Sequence, residues 1–310
     1  MLDILVLIAP IYILIGLGYG VIRLRYLEAD AFASLGSVIL RVFMPAMLFL
    51  AIAGNPISDT LSWAFVAAYA GGSVATYWLG FALARLSGQA TGGAAIEAMG
   101  MSCSNSAFFG LPVATLVVGP ELALQGFALV ILIENLLMIP MAVTICEIGQ
   151  GRAGAALWRM IPRLLLNPLL LAAGAGLAWA LGGLALPPVA ERVLRMMAPV
   201  APPLALLMIG GTVAQLSLRG VGGGVMRVVA GKLLLHPSMV ALALLLVGGG
   251  TAMPDALRLT AVLIAGVPMM SIYAIFGQRF GRAAMSATAQ IVATSLSILS
   301  LPAVIYLAGG

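Results

Sequence analysis

The side chains able to do chemistry in this 310-residue chain are few and gather at four places. Ser102, Ser104, Asn105 and Ser106 stand together, with Gly110 and Pro112 close behind. Gly266, Pro268 and Ser271 form a second group, and Glu134 with Asn135 a third. Gln290, Thr294, Ser297 and Ser300 recur every three or four residues, a polar stripe on one helix face. Arg41, Glu97, Lys232 and His236 stand in apolar surroundings. Hydroxyls and amides without an activating base do not make a nucleophile. There is no HExxH, no GxSxG, no GxxxxGK[ST] and no CxxC spacing between Cys103 and Cys146. The expectation is therefore neither an enzyme nor an ATP-driven pump, with no cofactor and no metal. Donors of this kind bind an anion, and a glycine–proline pair beside them breaks a helix.

Those side chains need elements to hold them, and the composition says which. Hydrophobic residues make up 63% of the chain and charged ones 8%, where soluble domains carry about 25% charged. Mean hydropathy is +1.15 and the pI about 9.6. Nucleic acid is not the expected partner. Fourteen of the fifteen basic residues are arginines scattered singly beside apolar runs, which suits membrane orientation rather than a phosphate-binding face. Ten runs are candidates to span a bilayer: 3–22, 33–53, 62–84, 93–118, 122–146, 164–183, 194–216, 228–249, 256–276 and 285–308. The first is read as a retained helix, because Asp3 precedes it and Arg23 and Arg25 follow it.

The charges orient the runs. Odd connections carry Arg23, Arg25, Arg85, Arg152, Arg159, Arg163, Arg219, Arg227, Arg279 and Arg282. Even ones carry Arg192, Arg195 and Arg258, beside Asp59, Glu121, Glu191 and Asp255. Positive charge marks the cytoplasmic side, so both termini are expected outside.

The chain also echoes itself. Pro10, Gly16 and Gly18 in the first run match Pro168, Gly174 and Gly176 in the sixth. Pro45 and Gly54 match Pro202 and Gly211. Gly110 and Pro112 match Gly266 and Pro268, and Pro140 matches Pro302, all at nearly one offset of about half the chain. Two halves, 1–150 and 151–310, follow. Each has five helices, an odd number, so the second enters the membrane from the opposite side. The fold expected is an all-α integral membrane protein with ten transmembrane helices in a 5+5 inverted repeat, the interrupted fourth and ninth helices crossing.

A broken helix at membrane depth must be buried or line a cavity. Pro112 and Pro268 are expected to open new half-helices whose positive ends approach the midplane from opposite faces. The predicted binding set is Asn105, Ser104, Ser106, Gly110, Pro112, Gly266, Pro268, Ser271 and Arg41; the alternative is two ordinary proline kinks. Arg41 either forks a substrate carboxylate or snorkels to the cytoplasmic interface. Glu134, with Asn135, Gln290 and Thr294, supports the site or carries a coupling proton, the alternative being a protonated structural carboxyl. Glu97 is read as solvated at a helix mouth. Lys232 and His236 lie one helical turn apart, and a lone histidine before Pro237 reads more readily as structural.

Asn105-x4-Gly110-x-Pro112 resembles the first crossover of the auxin efflux carrier family. Pro268 through Ala274, then Gln278 to Gly281, then Thr294 to Pro302, resemble the last two helices of its bacterial members. The resemblance implies a bacterial inner-membrane protein. Runs 1, 2, 6 and 7 would form a scaffold, often a homodimer, and runs 3–5 and 8–10 a transport unit moving as an elevator. It implies a small organic anion as substrate, auxin-like or a dicarboxylate such as malonate or malate. Asn105, Pro112 and Pro268 would lie at the crossover. The bile acid sodium symporters are similar more distantly; Glu134, Asn135 and Gln290 are the candidates for a sodium site. Proton coupling, sodium coupling and an uncoupled, channel-like carrier stay open.

Overall fold

A computed structural model describes residues 2–54, 62–151, 162, 166–215, 221–248 and 253–308. Asp59, Arg152, Arg159, Arg163 and Arg219, and with them most of the connection between the expected halves, lie outside the described residues. Every named element is helical, and among the described residues seven helices are long and apolar enough to cross a bilayer. They correspond to runs 1, 2, 3, 5, 7, 8 and 10. The sixth run is a shorter helix, and the fourth and ninth are interrupted.

In chain order the helices are α1 (Leu2–Arg23), α2 (Ala29–Val38), α3 (Met44–Ala53), α4 (Trp63–Leu86), α5 (Thr91–Ser102), α6 (Leu111–Val118), α7 (Pro120–Ile133) and α8 (Ile139–Ile148). Then follow α9 (Pro168–Leu181), α10 (Pro188–Met197), α11 (Ala201–Gln215), α12 (Gly223–Ala230), α13 (His236–Gly248), α14 (Asp255–Gly266), α15 (Tyr273–Arg279) and α16 (Ala283–Ala308). Apolar side chains all round explain why so many helices have no polar face. The exception is α10, where Glu191, Arg192 and Arg195 alternate with Val189, Val193 and Met196.

Among the described residues, four π-helical turns each run directly into an α-helix: Ile39–Phe43, Ser106–Gly110, Glu134–Met138 and Gly231–Leu235. Each ends two residues before a proline: Pro45, Pro112, Pro140 and Pro237. Proline offers no N–H, and its ring clashes with the carbonyl four residues back. Widening the preceding turn relieves the clash without ending the helix.

Glycines allow α1 to approach α11, and α9 to approach α3, closely. A Cβ on Gly18 of α1 would overlap the Leu207 carbonyl of α11, and one on Gly210 would overlap the Ile15 carbonyl of α1. On the other pair, a Cβ on Gly176 of α9 would lie 3.2 Å from the Phe49 carbonyl of α3. Elsewhere α4 packs along α13, and Gly72 allows that approach to the Val240 backbone. α5 packs on α4, α8 and α12, and α14 on α7, α13 and α16.

Candidate functional site

The fourth run is helical to Ser102 and again from Ser106; residues 103–105 are not helical. The ninth breaks between Gly266 and Tyr273. The two gaps lie side by side. Asn105 N donates to the Pro268 carbonyl (2.9 Å) and Met270 N to the Cys103 carbonyl (3.2 Å), an antiparallel bridge between Ser104 and Met269. Each gap thus supplies partners for the other's exposed backbone, as a non-helical stretch in an apolar interior must.

The two prolines differ. Pro112 stands in the first turn of α6, as expected, although the π turn from Ser106 runs into that helix without a break. Pro268 does not open a half-helix: it sits in the extended gap as a hydrogen-bond acceptor, five residues before α15.

Glu134 braces the first gap. Its Oε1 accepts from Ser104 N at 2.9 Å and its Oε2 from the Ser106 hydroxyl. A carboxyl here sits at the positive end of the helix through 106–118. The second gap is held by Gln290, whose Nε2 donates to the Ser271 carbonyl at 3.2 Å. Tyr273, at the start of α15, donates its hydroxyl to the Ile96 carbonyl at 3.1 Å.

Beside the gaps lies a cavity of about 380 Å³, lined by Arg41, Ser104, Asn105, Ser106, Glu134, Asn135, Asn167 and Ser271, with Phe108, Ile131, Ile139 and Met270 among the apolar walls. Its size lies within the usual range for small-molecule sites, about 300–1,000 Å³. The structure thus gathers Arg41, Ser104, Asn105, Ser106, Ser271, Glu134 and Asn135 around one space. Gly110, Pro112, Gly266 and Pro268 do not line it; they shape the backbone behind it. Thr294 is buried in α16, where its carbonyl accepts from Ser297, and it too is absent from the wall.

Asn167 is a wall residue that the sequence reading missed. Its Oδ1 caps α9 at Leu169 N, and its Nδ2 donates to Asn135 Oδ1 at 3.0 Å. The signal was available: asparagine before proline at the head of an apolar run is a helix-start pattern. Lys232, singled out in the sequence together with His236, lies behind the wall rather than on it. It is wholly buried, and its Nζ donates to Ser104 Oγ at 2.9 Å.

Glu97 is not solvated. It is fully buried, bound by Arg227 through two nitrogens (3.0 and 3.2 Å) and approached by Arg282 at 3.8 Å. Glu147, also buried, takes Arg279 at 2.6 Å. These pairs tie α5 to α12 and α8 to α15. Among the described residues no three His, Cys, Asp or Glu side chains gather as metal ligands would.

A second cavity, about 690 Å³, lies among the even connections, lined by Gly54, Glu121, Leu184, Glu191 and Arg195. The first cavity is lined instead by the middle of the second, fourth and fifth runs, residues 166–169 and the second gap.

Seven helices long and apolar enough to cross a bilayer among the described residues, with two interrupted runs that meet beside a cavity, fit a multi-pass membrane transport protein. The family model described as "Membrane transport protein" matches residues 3–161, and the chain belongs to that family, the auxin efflux carriers. The chain is also 28% identical, over 99% of its own length and 96% of the relative's, to a Rhizobium meliloti (strain 1021) protein named "Putative malonate transporter".

Proposed function

We propose that this chain is a secondary carrier for a small organic anion, a carboxylate of malonate's class, working by alternating access. The observation that carries the reading is the cavity at the joined gaps. It combines hydroxyl and amide groups with an arginine, the donor set a carboxylate needs. A second carboxylate on the same solute would have Arg41, which lines the same cavity as Ser106, as a further donor. The relative's name points to the same substrate class.

The reading includes ten spans in two inverted halves. Its support is the pairing of helices. An inverted repeat that places run 1 against run 7 must also place run 6 against run 2, and α1 lies along α11 as α9 lies along α3. The matched glycines behave alike too. Gly18 and Gly176 are at these close approaches, while Gly16 and Gly174 face open space. Runs 1, 2, 6 and 7 then make the scaffold and the other six the moving unit. A homodimer through the scaffold is part of the same reading. Under the charge rule the termini are outside.

Reconstitution into proteoliposomes tests this. Labelled malonate uptake is expected to saturate and to be accelerated by unlabelled malonate inside, because a carrier's binding site must return. Uptake that is linear in concentration and shows no counterflow points to a channel and overturns the carrier reading.

A further inference from the structure

Lys232 is the only lysine in the chain and His236 the only histidine, and they are bonded to each other in the interior. Lys232 Nζ lies 2.9 Å from His236 Nδ1, 2.9 Å from Ser104 Oγ and within hydrogen-bond reach of the Ala265 carbonyl at the C-terminal end of α14. The three protons of an ammonium are thus matched by three acceptors. His236 Nε2 in turn lies 2.9 Å from Ser73 Oγ of α4. Both ring and amine are wholly buried.

No carboxylate lies within ion-pair distance of Lys232 among the described residues. Ser104 separates it from Glu134, and Cys103 is adjacent. α4 brings Tyr69, whose hydroxyl is 3.4 Å from Ser104 Oγ, and Tyr77 further along. Glu97 of α5 is held by Arg227 of α12 and Arg282. Asp255 and Arg258 are at the far end of α14, and Tyr306 is on the last turns of α16. A buried ammonium without a paired anion is costly. Negative charge arriving in the cavity on the other side of Ser104 reduces that cost. By reciprocity, a protonated Lys232 favours the anion equally.

We propose that Lys232, braced by His236 and Ser73, is a proton-binding site linked through Ser104 to the anion cavity, so that anion and proton are bound together. The step is the addition of one proton to the Lys232 amine; no other bond changes. The proposal rests on the anion-carrier reading and names its coupling ion. Its sign is definite: anion affinity falls as pH rises, because the partner proton is lost.

A single lysine makes the test direct. Protein labelled with 13C-lysine shows one Cε signal, followed by NMR against pH with and without malonate, while thermal stabilisation reports malonate occupancy separately. The signal is expected to titrate, and saturating malonate to move the midpoint up by about one pH unit, a tenfold tighter hold on the proton. A signal unchanged over the pH range in which the protein stays folded overturns the proposal. So does bound malonate that leaves the midpoint where it was, although the carrier reading then survives. Failure to bind malonate or any other carboxylate removes the anion reading and the coupling with it. Lys232→Met is expected to make malonate affinity independent of pH, whereas Glu134→Gln leaves the lysine signal titrating. Retained pH dependence in Lys232→Met assigns the proton elsewhere and overturns the proposal; the wild-type titration decides the matter should that variant fail to fold.

Discussion

Asn105 and Glu134 divide the work around the first gap. Glu134 is already engaged on both oxygens by Ser104 and Ser106, so it holds the loop in shape, while Asn105 reaches the cavity from a backbone pinned to Pro268. Asn105→Ala is expected to weaken malonate binding about tenfold or more, the loss of a hydrogen bond to a charged group, with the unfolding temperature little changed. Unaltered affinity in a calorimetric titration removes Asn105 from the site. Most of these wall residues stand out in the sequence as polar groups in apolar runs. Lys232 and Glu97 stand out equally, but their meaning was hidden. Whether a charge meets water, an ion pair or a hydroxyl depends on Arg227, Arg282 or Ser104, all distant in the chain. Breaking a buried pair such as Glu97–Arg227 costs about 3–5 kcal/mol, so that acid belongs to stability.

Helix shape follows from glycine and proline. The four π turns carry Arg41, Ser106, Glu134 with Asn135, and Lys232, each four to six residues before its proline. This register was legible: a proline within an apolar run, preceded at that distance by a polar residue, marks the wall of the cavity or the group behind it. The breaks were legible as well, though not where they fall. A proline forbids one hydrogen bond, and neighbouring helices decide whether the chain widens a turn, as at Pro112, or leaves the helix, as around Pro268. Glycine acts by absence of bulk. Gly210→Ala is expected to force α1 and α11 apart, since its methyl group would overlap the Ile15 carbonyl; overpacking of this kind costs about 1–3 kcal/mol or more. Gly16→Ala meets open space and serves as the control. Equal melting temperatures for the two variants exclude the close approach.

The Asn135–Asn167 amide pair joins run 5 to run 6 on the wall of the smaller cavity, across the boundary between the proposed scaffold and moving unit. Bridging Asn135→Cys and Asn167→Cys with a short bifunctional thiol reagent is expected to arrest uptake and spare malonate-induced stabilisation. The native thiols of Cys103 and Cys146 are buried and give little background. Full transport by the bridged protein shows that the two residues do not separate. The arginines at the odd-connection end have a second role, since Arg227, Arg279 and Arg282 neutralise buried acids. The proposed orientation rests on their positive count, to which acidic neighbours contribute little.

Membrane class, the runs, the interrupted pair and the family likeness were all written in local features: apolar length, proline, glycine and charge placement act within a few residues, and a bilayer enforces them one helix at a time. The meeting of the two gaps, the brace from Glu134, the cap at Asn167 and the burial of Lys232 required the folded chain. These are contacts between segments far apart in sequence, and a hydrogen bond has no partner until packing brings one within about 3 Å.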